Sequence, residues 1–370
     1  FDLLSYSERI RHCTRPENHD GPTEEVWVEI NEHLGTKAFS LRDLVQQLGE
    51  RIYSHAPRVG DCFCGGGSIP FEAARIGCQA FGSDLNPVAG LLSWSDLNIL
   101  GKGEAVKETV REMQRRVFEQ ADEIFTNWGI EHGENNERGD AYLYCSEVKP
   151  SGCDYYIPLA PSWVVSEKYR IVVKWSRMDM SDRLTPHVIE VSPAEFAEYM
   201  GTSDGAQKKG ATAIDGRVLD PLDATRSWAI ESLRGPDGLR RWTTDDIIPR
   251  PDDVFQERLY CIRWTDENGT RRYAAPTDRD LVMESKALTL LHERYALWKL
   301  RGYIPSKAIP AGYNTDQPLR ERGWTHWHHM FAPRQLLAVG LLAELFAARS
   351  GDDETAVAGG LLAVGSASDF

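Results

Sequence analysis

Residues 58–87 read RVGDCFCGGGSIPFEAARIGCQAFGSDLNP, and the fold class rests on this stretch. Residues 59–63 form a short strand candidate that runs into Cys64-Gly65-Gly66-Gly67-Ser68. Three successive glycines cost backbone entropy, but they let the main chain turn sharply with no Cβ between it and a ligand. Pro70 suits the first turn of a helix over 71–76, where a missing N–H does no harm, and Gly77 ends that helix. A second strand over 79–83 delivers Asp84 at its C-terminal end. The two strand-end acids, Asp61 and Asp84, stand near the ~20-residue spacing at which an acid meets ribose hydroxyls in nucleotide-binding α/β units. The expected fold is therefore α/β, a doubly wound Rossmann-like core built outward from this strand–turn–helix–strand unit.

Three cofactor chemistries compete for the turn. A dinucleotide fingerprint wants a third glycine where this chain has Pro70, and that glycine serves tight helix–strand packing beneath a pyrophosphate. A phosphate loop wants Lys followed by Ser or Thr after the glycines, and neither follows. S-adenosylmethionine has no phosphate to place. It needs a glycine turn beneath its methionine part and an acid for its ribose. On that reading Asp84 holds the ribose, Gly65, Gly66 and Gly67 give the close backbone approach, and Asp61 holds the ammonium group. Phe63 packs near the sulfonium, and Asn86 completes the site. The remaining alternative is a tight turn in an unliganded sheet.

The residues from Asp61 to Ser68, then Ile69-Pro-Phe-Glu-Ala73, then Ser83-Asp84-Leu-Asn86-Pro-Val-Ala89, resemble the first two cofactor motifs of adenine-specific DNA methylases that carry an inserted zinc ribbon. Cys62 stands where that family usually has proline. The likeness continues in Pro158-Leu-Ala-Pro-Ser-Trp163, in residues 262–277 and in residues 323–337, so it covers most of the chain from about residue 40 onward. It implies an S-adenosylmethionine-dependent methyltransferase acting on the exocyclic amine of adenine. Double-stranded DNA would be the substrate, in restriction–modification or phage defence, with other defence-system proteins as a further class of partner. An RNA or protein-glutamine amino-methyltransferase, or a non-catalytic cofactor-binding module, are the rival readings. Such amino-methyltransferases use an Asp-Pro-Pro-Tyr-type tetrad to polarise the target amine and stack on the flipped base. No Pro-Pro pair occurs in the 370 residues, so the expectation is a chain that forms the cofactor half of the site and does not methylate alone. Phe1 and the apolar pattern at the other end predict an interior piece of a longer protein.

The family's zinc ribbon implies two cysteine pairs around a tetrahedral Zn²⁺. Cys145 and Cys153 occupy the region of the first pair, spaced more widely than usual, and Asp220 and Asp223 stand where the second is expected. A metal-free β-hairpin module is the preferred expectation there, because mixed thiolate–carboxylate zinc sites are uncommon.

Organisation follows from patterning. Ser40 caps a helix whose apolar stripe is Leu41, Leu44, Val45, Leu48 and Ile52, with Asp43 at N3. A long helix is predicted over 104–127. From about residue 131 strand-like pieces alternate with turn clusters, and helical periodicity returns near Leu281 and again over 334–346. The expected zones are a helical segment (1–57), the cofactor-binding part (58–130), a β-rich insertion serving target recognition (131–285) and a helical return to the core (286–370).

The formal net charge of −14 excludes a protein that coats nucleic acid by bulk charge, though not a local basic groove. Arg234, Arg240 and Arg241 beside Trp242, and Lys168, Arg170 and Lys174 beside Trp175, are the candidates for phosphate and base contacts. Seven irregularly placed cysteines make no disulfide framework, and no apolar run reaches the ~18 residues of a membrane span. The expectation is a cytoplasmic protein without a membrane partner. His326, His328 and His329 sit among tryptophans, where core packing is favoured over metal binding.

Overall fold

The computed structural model describes residues 22–133, 136–178, 181–201, 209–313, 315–349, 351 and 353–367. The chain is mixed α/β and divides into two compact units, one running to Arg116 and taking up Arg349–Ser366, the other comprising Val117–Ala348.

The first unit opens with α1 (Glu24–Leu34) and α2 (Leu41–Tyr53). Ser40 caps α2 as its sequence predicts, its hydroxyl accepting from the Asp43 N–H at 3.1 Å. Strands β1 (Arg58–Asp61) and β2 (Gln79–Gly82) then pair in parallel, with α3 (Ser68–Arg75) as the crossover between them. Helix α3 starts three residues earlier than the sequence suggests, because Gly67 in a left-handed conformation (φ 86°) acts as its N-cap. Pro70 still falls within the first turn, where no intrahelical N–H is lost. Gly77 (φ 99°) closes the helix, and a Cβ there would come within 2.9 Å of the Arg42 carbonyl oxygen of α2. Asn86 caps α4 (Pro87–Ser95), which runs on into a π-helical turn, Asp96–Leu100, before α5 (Glu104–Trp128). The division into units falls within α5.

The second unit is rich in strands, as the alternation of strand and turn signals predicts, and its named strands pair antiparallel. Strands β3 (Arg138–Val148) and β4 (Ile157–Leu159) join β11 (Phe255–Thr265) and β12 (Arg271–Ala274) in a sheet ordered β12-β11-β3-β4. A second sheet holds β5 (Val164–Ser166), β6 (Ile171–Ser176) and β7 (Thr185–Glu190), followed by the capped helix α6 (Pro193–Met200). The third holds β8 (Ala213–Ile214), β9 (Arg217–Leu219) and β10 (Ser227–Ala229), with the short α7 (Ile230–Leu233) behind it. Among the named strands of the described residues parallel pairing is confined to β1 and β2; one isolated parallel bridge joins Tyr156 and Arg183.

The expected boundary at residue 285 lies inside α8 (Asp278–Arg301), a continuous helix begun by a capping box from Thr277 to Asp280. Helix α8, α9 (Asp316–Arg322) and α10 (Pro333–Ala347) stay with the β-rich unit; only α11 (Glu354–Ala367) joins the first unit. Trp298 of α8 is fully buried against α10, where Gly340 admits its ring; a Cβ at Gly340 would lie 2.2 Å from the indole. Among the described residues no helix is long and apolar enough to cross a membrane.

Candidate functional site

The site is built at the C-terminal ends of β1 and β2. Parallel pairing continues past the strands, through the Ser83 N–H donating to the Asp61 carbonyl (2.9 Å) and the Cys64 N–H to the Ser83 carbonyl (3.1 Å). This brings Asp61, the glycine bend and Asp84 to one end of the pair. Asp61 Oδ1 accepts from the Phe63 N–H at 3.0 Å, which shapes the start of the bend. The Gly65 N–H (φ 50°) donates to Asp84 Oδ2 at 2.9 Å, and the Asn86 N–H to Asp84 Oδ1 at 2.9 Å. The Asn86 and Gly65 amides hold the Asp84 carboxyl below its ordinary range, so it is ionised at neutral pH. An ionised carboxylate offers about four acceptor positions, so these bonds leave Asp84 capacity for a ligand.

The three glycines have different reasons to be glycine. At Gly67 a Cβ would stand 2.9 Å from both Cα and Oγ of Ser93, so close packing of the bend on α4 requires it. At Gly65 and Gly66 a Cβ would meet nothing within 4 Å. Their open face is a backbone surface on which a ligand can lie. Phe63 (83% exposed) and Leu85 (98% exposed) flank it as unburied apolar side chains. Asn86 has a nearer task than ligand binding: its Oδ1 accepts from the Val88 N–H (3.0 Å) as the cap of α4.

Two residues beneath the bend escape sequence reasoning. Ser93 donates to Cys64 Sγ at 3.0 Å, pinning the bend from below. Asp96 places Oδ2 3.0 Å from the position a Gly67 Cβ would take, and burial raises its pKa. The π-helical turn puts Asp96 there, and no local signal in the sequence announces such a turn.

The cysteine and aspartate positions of the second unit are structural. Cys145 packs with Trp163 and Val173, whereas Cys153 belongs to the cluster of Tyr155, Ile157 and Leu184. The expected first pair is thus divided between two hydrophobic clusters. Burial pushes the Cys145 thiol up to about 12. Asp220 is buried and accepts from the Tyr155 hydroxyl (2.6 Å) and the Leu222 N–H (2.9 Å), with Arg226 at 3.4 Å; Asp223 accepts from Thr225. Among the described residues no group of three or more His, Cys, Asp or Glu is arranged to hold a metal ion.

The basic clusters are also largely committed. Arg240 forks onto Asp253 (2.7 and 2.6 Å) and reaches Asp246 (2.8 Å), while Arg241 donates to the Leu319 carbonyl. Arg170 pairs with Glu190 at 2.6 Å and Lys174 with Glu195 at 2.8 Å. Their sequence neighbourhoods look basic only because the neutralising acids lie elsewhere in the chain.

His328 and His329 are buried, as the packing expectation has it. Tyr295 donates its hydroxyl proton to the Thr244 carbonyl (2.6 Å), so His328 Nε2–H donates to the Tyr295 oxygen (2.7 Å). His329 accepts at Nδ1 from the Thr325 N–H (3.1 Å) and donates from Nε2 to the Thr243 carbonyl (3.0 Å). Burial pushes both imidazoles down to about 4 from an ordinary 6.5. The unfolded chain therefore takes up protons first as pH falls, and these rings lose stability for the fold between 6.5 and 4, by on the order of 3 kcal/mol each. A His328→Asn, His329→Asn double variant is expected to lose less stability than the parent across that window in urea unfolding. Upward-shifted carboxyls act in the opposite direction but are common to both proteins. Parallel pH curves for the two proteins would contradict the neutral, buried imidazoles.

No protein-family model, no curated protein and no solved structure matches the chain.

Proposed function

We propose that this chain carries the S-adenosylmethionine site of a methyltransferase that acts on the exocyclic amine of adenine in DNA. In this reading β1, α3 and β2 open a doubly wound Rossmann-like core, and the β-rich unit serves target recognition. The observation that carries the proposal is the open backbone of Gly65 and Gly66, tied by a Gly65 N–H bond to the carboxylate of Asp84. A phosphate-free nucleoside with a ribose and an amino-acid tail suits this arrangement, because the bend offers contact surface and acids and no cationic phosphate clamp.

When bound, the cofactor supplies an electrophilic methyl group on its sulfonium. Asp84 accepts from the ribose hydroxyls with the acceptor positions its own loop leaves open. Gly65 and Gly66 allow the methionine part to approach the main chain, and Asp61 takes the ammonium group. The exposed ring of Phe63 covers the sulfonium side and keeps water from it. No zinc-dependent step enters this reading, since Cys145 and Cys153 lie in different clusters. Polarisation of the adenine amine would come from an Asp-Pro-Pro-Tyr-type group, which these 370 residues do not contain.

Isothermal titration with S-adenosylmethionine tests the proposal. One saturable site is expected; no heat from the folded chain would remove the cofactor assignment. Methyl transfer from labelled cofactor to duplex DNA by this chain alone is expected to stay at background. Competition between duplex DNA and RNA for binding separates a DNA substrate from an RNA one.

A further inference from the structure

A cavity wholly within the β-rich unit lies along β3 and β11 beneath α10. Its volume is about 1140 Å³, just above the ~300–1,000 Å³ range of small-molecule sites. It follows the outer edge of β3, which pairs with β4 only at Ser146–Val148. Tyr142, Tyr260, Phe125 and Phe331 supply aromatic wall.

The charges in that wall are nearly all spoken for. Arg138 pairs with Glu131 and Asp122, Arg263 with Asp140, and Arg334 with Glu284. Asp266 accepts from the Asn268 and Thr270 N–H groups at 2.9 and 2.8 Å. Glu257 is the exception: among the described residues its carboxyl has no hydrogen-bond or ion-pair partner. Its cross-strand neighbour is the uncharged Ser146. The Arg322 guanidinium acts on it only from beyond ion-pair distance. Glu257 is part-buried at the cavity, so its unpartnered carboxyl is available to a cation that enters there. The Tyr142 hydroxyl is a buried polar atom without a partner in the same wall, four residues along β3 from Ser146, or roughly 13 Å at ~3.3 Å per residue.

We propose that this cavity binds a planar organic cation, its charge paired with the Glu257 carboxylate and its ring laid against the aromatic wall. The complementarity selects cation over anion, because each arginine in the wall already holds a carboxylate and, among the described residues, the unpaired charged group of the wall is an acid. The site is independent of the bend at β1 and does not rest on the methyltransferase reading.

Burial pushes the Glu257 carboxyl up to about 7, with Arg322 opposing. Cation binding therefore releases a proton below neutrality, and affinity rises with pH until the carboxyl is ionised. Benzamidine is a suitable probe, since it is planar, cationic and able to meet a carboxylate with two N–H groups; benzoate is its anionic counterpart. Titrated into the full chain, benzamidine is expected to saturate at pH 8 and to bind several-fold more weakly at pH 6, with no saturation by benzoate. Glu257→Gln should weaken benzamidine at least tenfold while folding normally, because it removes a charge that has no partner among the described residues. Ala338→Phe, which fills the cavity from α10, should abolish binding with Glu257 intact. Equal binding of benzoate, an unchanged affinity in Glu257→Gln, or no benzamidine binding to the parent protein would each overturn the proposal.

Discussion

Arg240→Ala is expected to destabilise the β-rich unit by about 3–5 kcal/mol, the usual cost of removing one partner from a buried, hydrogen-bonded ion pair. The guanidinium meets Asp253 with two N–H groups and Asp246 with a third, and both aspartate side chains are only 8% exposed. Burial by itself would raise the Asp246 carboxyl; Arg240, the Thr243 N–H and Arg250 together hold it far below its ordinary range. Removing Arg240 leaves Asp253 without its guanidinium partner and Asp246 with Arg250 as its remaining one. Arg240→Lys keeps the charge but not the two-pronged geometry and should fall between parent and alanine variant. Arg241→Ala, which loses a bond to the Leu319 carbonyl, should stay within about 1 kcal/mol. Urea unfolding measures all three. An Arg240→Ala protein within about 1 kcal/mol of the parent would return Arg240 to the pool of free cations available to DNA phosphates.

The second large effect concerns the bend. If the chain binds S-adenosylmethionine as proposed, Asp84→Ala is expected to reduce its affinity by at least a hundredfold, because it removes the proposed ribose acceptor and also the group that holds the Gly65 N–H and the Asn86 N–H. Gly66→Val should reduce it comparably by another route. A branched side chain there projects into space that is empty in the protein and that a ligand lying on the backbone would need. The pair is diagnostic because Gly66→Val disturbs no protein contact, so circular dichroism and melting temperature should match the parent. Retained affinity in Gly66→Val would show that nothing docks on the open face. Retained affinity in Asp84→Ala alone would move the ribose to another acceptor, with Asp96 the nearest unassigned carboxylate beneath the bend.

Local chemistry determined much of this protein from sequence alone. The strand–glycine–helix–strand unit, the Ser40 cap, the helix stop at Gly77, the long helix α5 and the strand-rich character of the second unit all follow from short-range rules of turn conformation, capping and periodicity. So does the convergence of Asp61, Gly65 and Asp84, since a parallel crossover necessarily brings the C-terminal ends of its two strands to the same side. Tertiary structure decided what the side chains there are free to do. It separated Gly67, needed for packing on Ser93, from Gly65 and Gly66, which face open space, and it assigned Asn86 to a helix cap. It divided Cys145 from Cys153, neutralised Arg240 with acids six and thirteen residues further along the chain, and left Glu257 unpaired beside a cavity. The physical reason is common to these cases. Backbone conformation is governed by neighbours along the chain, whereas desolvation, charge pairing and free volume depend on whichever distant segments arrive in contact.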